Sequence, residues 1–187
     1  MRPVVAFSTK PEEPDVPPII STFTRAVTAL NRAAFHLAAL SIYAIVPVML
    51  IDVAMRYVFN SPTVWAMELA VLIFGPYFLL AGPYVLHLKG HVAMDIIRQR
   101  LSPAAGRVMD LVNMPIIIAF AAILLWYSWP LAVDSWNYGE TSFSAWNPPI
   151  WWTKAAVPLS LALMLAQAVA EFLRLLFRDP SYEAVAS

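Results

Sequence analysis

The stretch Trp65–Leu86 constrains this chain more than any other. It is a run of 22 residues with one formal charge, Glu68. As a helix rising 1.5 Å per residue it is long enough to cross a bilayer core of about 30 Å. The rest of the chain has too little ionic surface to hide such a run in a soluble fold. Of its 187 residues, 60% are hydrophobic and 13% charged, against about 25% charged in a typical soluble domain. Seven Trp, seven Tyr and ten Phe suit a protein with two membrane–water interfaces to anchor. The formal net charge is zero, so no bulk attraction to nucleic acid is implied. With no cysteine, disulfides, thiolate metal ligands and thiol catalysis are excluded.

Three further runs complete the pattern. Ala33–Ile51 is uncharged apart from neutral His36 and contains Pro47, which membrane helices tolerate. Val108–Trp129 ends in the aromatic group Trp126, Tyr127 and Trp129. Ala155–Ala170 is shorter, but Lys154 and Glu171 can snorkel to the two surfaces and let it span. The expected fold is an all-α integral membrane protein with four transmembrane helices, over about 33–55, 65–86, 108–129 and 152–175. Residues 23–178 make the membrane domain, between a Pro-rich tail at 1–22 and a short tail at 179–187. Phe23–Arg32 reads as an amphipathic lead-in on the membrane surface. Residues 87–107 read as a short interfacial amphipathic helix between helices 2 and 3. Asn60-Ser61-Pro62 reads as a turn and helix start, with Ser61 as cap and Pro62 at the first helical position. Gly75-Pro76 and Gly82-Pro83 are expected to bend the second crossing, the glycines admitting a close neighbour. Pro130–Pro149, with Trp136 and Trp146, reads as a structured outer loop. Small residues on the first crossing, Ala33, Ala34, Ala38, Ala39, Ser41 and Ala44, permit close packing.

Basic residues orient the spans. Ten of the twelve Lys and Arg fall on the side of the two termini, and Arg56 and Lys154 on the other. The positive-inside rule then puts both termini in the cytoplasm.

Few residues carry chemistry. Asp52 and Arg56 are four apart and share a helical face. Glu68 sits one turn into the second crossing, where a carboxylate must be paired, protonated or wetted. Arg56 is its expected partner across the turn, with Asp52 a second claimant on the same guanidinium. An ion or proton site is open for Glu68, as is a structural role, either a polar clasp between helix ends or a contact to another subunit; one acid without converging polar groups favours the structural role. Asp110, Asn113 and Gln167 are weaker candidates of the same kind. His87, His91 and Asp95 recur every four residues, but Lys89-Gly90 interrupts that face. Capping and tying the interfacial helix suits His91 and Asp95 better than a metal site. No phosphate loop or nucleophile elbow occurs, so neither an enzyme nor a bound cofactor is expected.

With these residues in view, the chain resembles the small membrane subunit of tripartite ATP-independent periplasmic (TRAP) transporters. The resemblance runs through RYVFNSPTVWAMELA, with Arg56, Pro62, Trp65 and Glu68, and LLAGPYVLHLKGHVAMDII, with His91 and Asp95. It continues at Gly139, Ser142, Pro149, Trp151-Trp152 and Pro158. It implies a non-catalytic subunit in the bacterial inner membrane, without cofactor or metal. Its implied partners are a large permease subunit, which carries the transport machinery, and a periplasmic substrate-binding protein. Uptake is implied to be sodium-coupled symport of a carboxylate-type solute. Asp52, Arg56, Trp65, Glu68, His91 and Asp95 are then structural or subunit-contact candidates. The alternative is a stand-alone small membrane transporter or channel.

Overall fold

A computed structural model describes residues 17–88 and 103–177. It contains four helices: α1 (Pro18–Tyr57), α2 (Ala66–His87), α3 (Pro103–Asn137) and α4 (Trp151–Leu176). Each is long and apolar enough to cross a membrane. Over the described residues the protein is thus all-α, with four helices of membrane-spanning length. Among the described residues the only strand-like pairing is an isolated bridge between Thr141 and Pro149. The links 58–65 and 138–150 lie at one end of the bundle, here called the loop end. The start of α1 and the end of α4 lie at the other, the terminal end. The interfacial helix expected over 87–107 falls largely on 89–102, outside the described residues.

α4 is the central helix. It packs on α1, α2 and α3, and α1 also packs on α2. The seam on α1 repeats every seven residues: Thr24, Asn31, Ala38, Ile45 and Asp52 are all buried, with Thr28 beside them. α3 buries Met114, Ala121 and Ser135 in the same register, with Ser128 half-buried between the last two. A seven-residue repeat keeps one narrow stripe facing a neighbour as the helices coil left-handedly, the usual sense in membrane bundles. Of the six small residues expected to line the first crossing's packing face, Ala38 alone is buried; Ala33 and Ala44 are exposed. Both seams change character along their length. On α1 the middle is apolar, and the polar residues fall at the two ends.

Three local readings are corrected. The lead-in Phe23–Arg32 is not a separate surface helix. α1 is one helix of 40 residues, about 60 Å long, and its N-terminal turns run past the end of α2. Pro17 and Pro18 start it, where the missing N–H costs nothing. The second helix begins at Ala66, not at Pro62. Asn60 turns the chain with φ +49°, and the Ser61 amide bonds back to the Met55 carbonyl (3.0 Å) instead of Ser61 capping α2. α3 continues through Pro130 to Asn137, which shortens the second link to 138–150.

α2 runs unbroken through Pro76 and Pro83. Neither glycine before them is required by close approach: a Cβ at Gly75 would meet Thr153 at an ordinary 3.7 Å, and at Gly82 nothing. The cost of Pro76 is met from α4. A proline has no N–H to give the carbonyl four residues back, here that of Leu72. Thr153 Oγ1 donates to that carbonyl at 3.4 Å, a weak bond that ties the two helices where one backbone is incomplete.

Candidate functional site

Polar chemistry is concentrated at the two ends. At the loop end, Asp52 is buried at the last turns of α1. It accepts from Arg56 Nη2 at 3.0 Å, from the Thr63 amide at 3.2 Å and from the Thr63 hydroxyl. Three donors thus hold one carboxylate, and the 58–65 link is pinned to α1. Arg56 is in the last turn, where a cation also suits the helix dipole.

Glu68 does not pair with Arg56. It lies in the first turn of α2 and accepts from Ser144 Oγ at 2.5 Å. The expected partner is close in sequence; the observed one is 76 residues distant. Asp52 sits on Arg56's own helix face, so it takes the guanidinium first. Glu68, at the positive end of its helix dipole, is left to hold the other loop.

That loop is built tightly. The Ile150 amide donates to the Glu140 carbonyl and the Ser142 amide to that of Pro148, both at 3.0 Å. Asn147 Oδ1 accepts from the Phe143 amide, and Ser144 Oγ accepts from the Asn147 amide. Gly139, Phe143 and Asn147 all have positive φ. Lys154 Nζ reaches both Glu140 oxygens, at 2.7 and 2.5 Å. The ammonium beside it holds the Glu140 carboxyl below its ordinary range. Lys154 therefore closes the loop onto α4. Trp65 packs near Trp146, at 6.5 Å between centroids, and Trp136 meets Trp151 edge-on at 4.3 Å.

At the terminal end, α1, α2 and α4 share a buried network. Asn31 Nδ2 donates to Gln167 Oε1 (2.7 Å), and Gln167 Nε2 to Glu171 Oε1 (2.7 Å). Arg174 Nη1 donates to the same oxygen at 2.9 Å. Arg174 Nη2 reaches the Thr24 carbonyl (3.2 Å) and Thr28 Oγ1 (3.1 Å). His87, the last residue of α2, places Nδ1 2.6 Å from Glu171 Oε1. Arg174 Nη1 lies 3.3 Å from the same nitrogen, so Nδ1 bonds Glu171 when it carries the ring proton and accepts from Arg174 when it does not. Asn31 and Gln167 are fully buried and Glu171 is 2% exposed. Glu171 therefore does not snorkel; it turns inward, because Gln167 and Arg174 donate to it there and His87 lies against it. Arg107 Nη2 caps the Leu175 carbonyl (3.0 Å), satisfying an otherwise open end of α4.

Of the residues singled out from the sequence, Asp52 and Arg56 are brought together, and Trp65 and Glu68 both reach the second loop. His91 and Asp95 lie outside the described residues. His87 faces Glu171. Among the described residues no three His, Asp or Glu side chains gather as a metal-ligand set. Sequence reasoning missed Thr24, Thr28 and Asn31. Two spacings pointed to them: the seven-residue repeat of α1, and Gln167, Glu171 and Arg174 at i, i+4 and i+7 on one face of α4. The arrangement joins helices: Asp52, Glu68, Glu140 and Glu171 are each engaged by protein donors.

A family model described as tripartite ATP-independent periplasmic transporters, DctQ component, matches residues 45–178. The chain is also similar to a C4-dicarboxylate TRAP transporter small permease protein DctQ from Vibrio cholerae serotype O1. Identity is 26% over 112 residues, covering 58% of this chain and 42% of that relative. The match thus spans less than half of the curated relative's length.

Proposed function

The chain belongs to the DctQ component family of TRAP transporters, and from that premise we propose that it is a small, non-catalytic permease subunit of the bacterial inner membrane. It braces a large permease subunit that imports a carboxylate-type solute by sodium-coupled, ATP-independent symport. Both termini are cytoplasmic, so the loop end faces the periplasm and helps receive the substrate-binding protein.

One observation carries this reading. The buried charged groups among the described residues are Asp52, Asp110, Glu171 and Arg174. Asp52 is at the loop end, and the other three are at the terminal end. The depth between them is filled by residues such as Ala38, Ile45 and Ala121, and the buried Ser160 there is spent on the Val157 carbonyl of its own helix. An ion path needs ionisable or converging polar groups at mid-depth; a brace does not. Large exposed apolar residues on α1 and α3, among them Leu37, Leu40, Ile116 and Phe120, suit contact with lipid and with a larger membrane partner. At the loop end, Phe143 is 88% exposed and held at φ +55°. An aromatic held so far out, at a strained backbone position, is an apolar contact offered to a soluble partner.

Reconstitution tests the subunit role. The chain alone in proteoliposomes under a sodium gradient gives no uptake of any carboxylate, whereas co-expression with its large partner yields a co-purifying, active pair. Solute flux from the chain alone would favour a stand-alone transporter instead. Arg56→Glu, which repels Asp52, lowers the yield of the pair; unchanged yield and uptake would remove the Asp52 clasp from this reading. Phe143→Gly relieves the positive φ and keeps the fold, but weakens capture of the binding protein several-fold in a surface-binding assay.

A further inference from the structure

A cleft of about 510 Å³ opens at the terminal end between α1, the last residue of α2 and the last turn of α4. Arg25, Arg32, His36, His87 and Arg174 line it, and among the described residues no carboxylate does. The α1 wall follows from spacing. Arg25, Arg32 and His36 recur at i, i+7 and i+11 on one helical face. Ala29 and Ala33 lie between them and leave the floor open. Arg25 and Arg32 are exposed and form no ion pair with any described residue.

The back wall is different. Arg174 is 7% exposed. Its Nη groups serve Glu171, Thr24 and Thr28, and its buried Nε–H has no protein acceptor among the described residues. Glu171, the nearest described carboxylate behind this wall, is already held by Arg174, Gln167 and His87. The cleft therefore presents donors and positive charge.

Depth identifies what can meet it. α2 has 22 residues, about 33 Å, close to the thickness of a bilayer core. Its end at His87 marks the hydrocarbon boundary, so the cleft lies at headgroup level. Guanidinium groups match phosphate oxygens in planar, two-point fashion, and basic pockets between spanning helices suit anionic headgroups.

We infer that this cleft binds a phosphate-bearing anion, that of an anionic phospholipid headgroup or a free phosphate, with Arg25 and Arg32 taking the phosphate oxygens in front of Arg174. The lipid source places the acyl chains along the exposed apolar face of α1; the free anion would enter from water.

The test uses the purified full chain in phosphatidylcholine nanodiscs with and without phosphatidylglycerol, read by native mass spectrometry and by the thermal midpoint. One phosphatidylglycerol is retained in preference to phosphatidylcholine and raises the midpoint. Arg25→Gln with Arg32→Gln weakens retention roughly tenfold or more, and Arg25→Lys with Arg32→Lys keeps most of it. Both positions are exposed, so the variants fold; a single Arg32→Gln variant gives an intermediate loss. Inorganic phosphate is added in a separate arm. Arginine-dependent binding of inorganic phosphate without lipid preference assigns the site to a free anion, and lipid retention that phosphate does not displace assigns it to the headgroup. Equal retention of the two lipids with no phosphate binding, or a double Gln variant that binds both probes like the parent, overturns the proposal.

Discussion

At the scale of single residues, the strongest commitments are carboxylates with unexpected partners. Glu171 sits under Gln167, His87 and Arg174 instead of reaching for water. Removing it leaves a buried guanidinium without its counter-charge. Glu171→Ala is expected to cost about 3 kcal/mol, the low end for breaking a buried pair, because Arg174 lies near the membrane surface. Glu171→Leu with Arg174→Met should recover most of that loss, since neither charge then remains to be solvated. Unfolding midpoints in detergent micelles check both. Glu140 gives a pH signature. Lys154 lowers its folded pKa below the unfolded value of a carboxylate. Its contribution is therefore complete above the ordinary carboxylate range, about pH 4, and is lost as pH falls through the lowered folded value. Limited proteolysis of 138–150 should show protection at neutral pH that disappears in strong acid. Glu140→Gln should be cleaved readily throughout, with no acid step.

Elements are joined by what each lacks. Pro76 deprives Leu72 of its helical donor, and Thr153 supplies one from α4. The two positions should be coupled. Thr153→Val is expected to lower stability by about 0.6 kcal/mol in the parent, a typical value for a hydrogen bond between membrane helices. In a Pro76→Ala background, where the backbone bond is restored, it should cost nothing. A double-mutant cycle on unfolding measures the coupling directly; additive effects would mean that the Thr153 bond at 3.4 Å contributes nothing. The seven-residue seams of α1 and α3 act at the same scale. They give each outer helix one stripe toward the bundle and leave most of its surface to lipid or a partner.

For the whole molecule, the four described spans put residues 17 and 177 on one side, and the proposed orientation, with that side in the cytoplasm, rests on the basic residues. A phosphatase reporter active only in the periplasm, fused after Ser187, should be silent, while a cytoplasmic reporter at the same place should be active. The reverse pattern would invert the bundle and place the Glu68–Ser144 and Glu140–Lys154 ties on the cytoplasmic face. α4 is the central post of this arrangement, since it touches all three other helices.

The number and apolar character of the spans could be read from the chain, because the bilayer sets a minimum length and one polarity for every crossing; the full lengths of α1 and α3 could not, since both helices run on beyond their apolar runs. So could the Asp52–Arg56 pairing, which needs only the turn of one helix. The Glu68–Ser144 contact, the inward turn of Glu171 and the continuity of α1 below Arg32 were decided by tertiary structure. Each depends on which helix stands beside which, and a polar group in an apolar medium takes the partner that packing brings, however far away it lies along the chain.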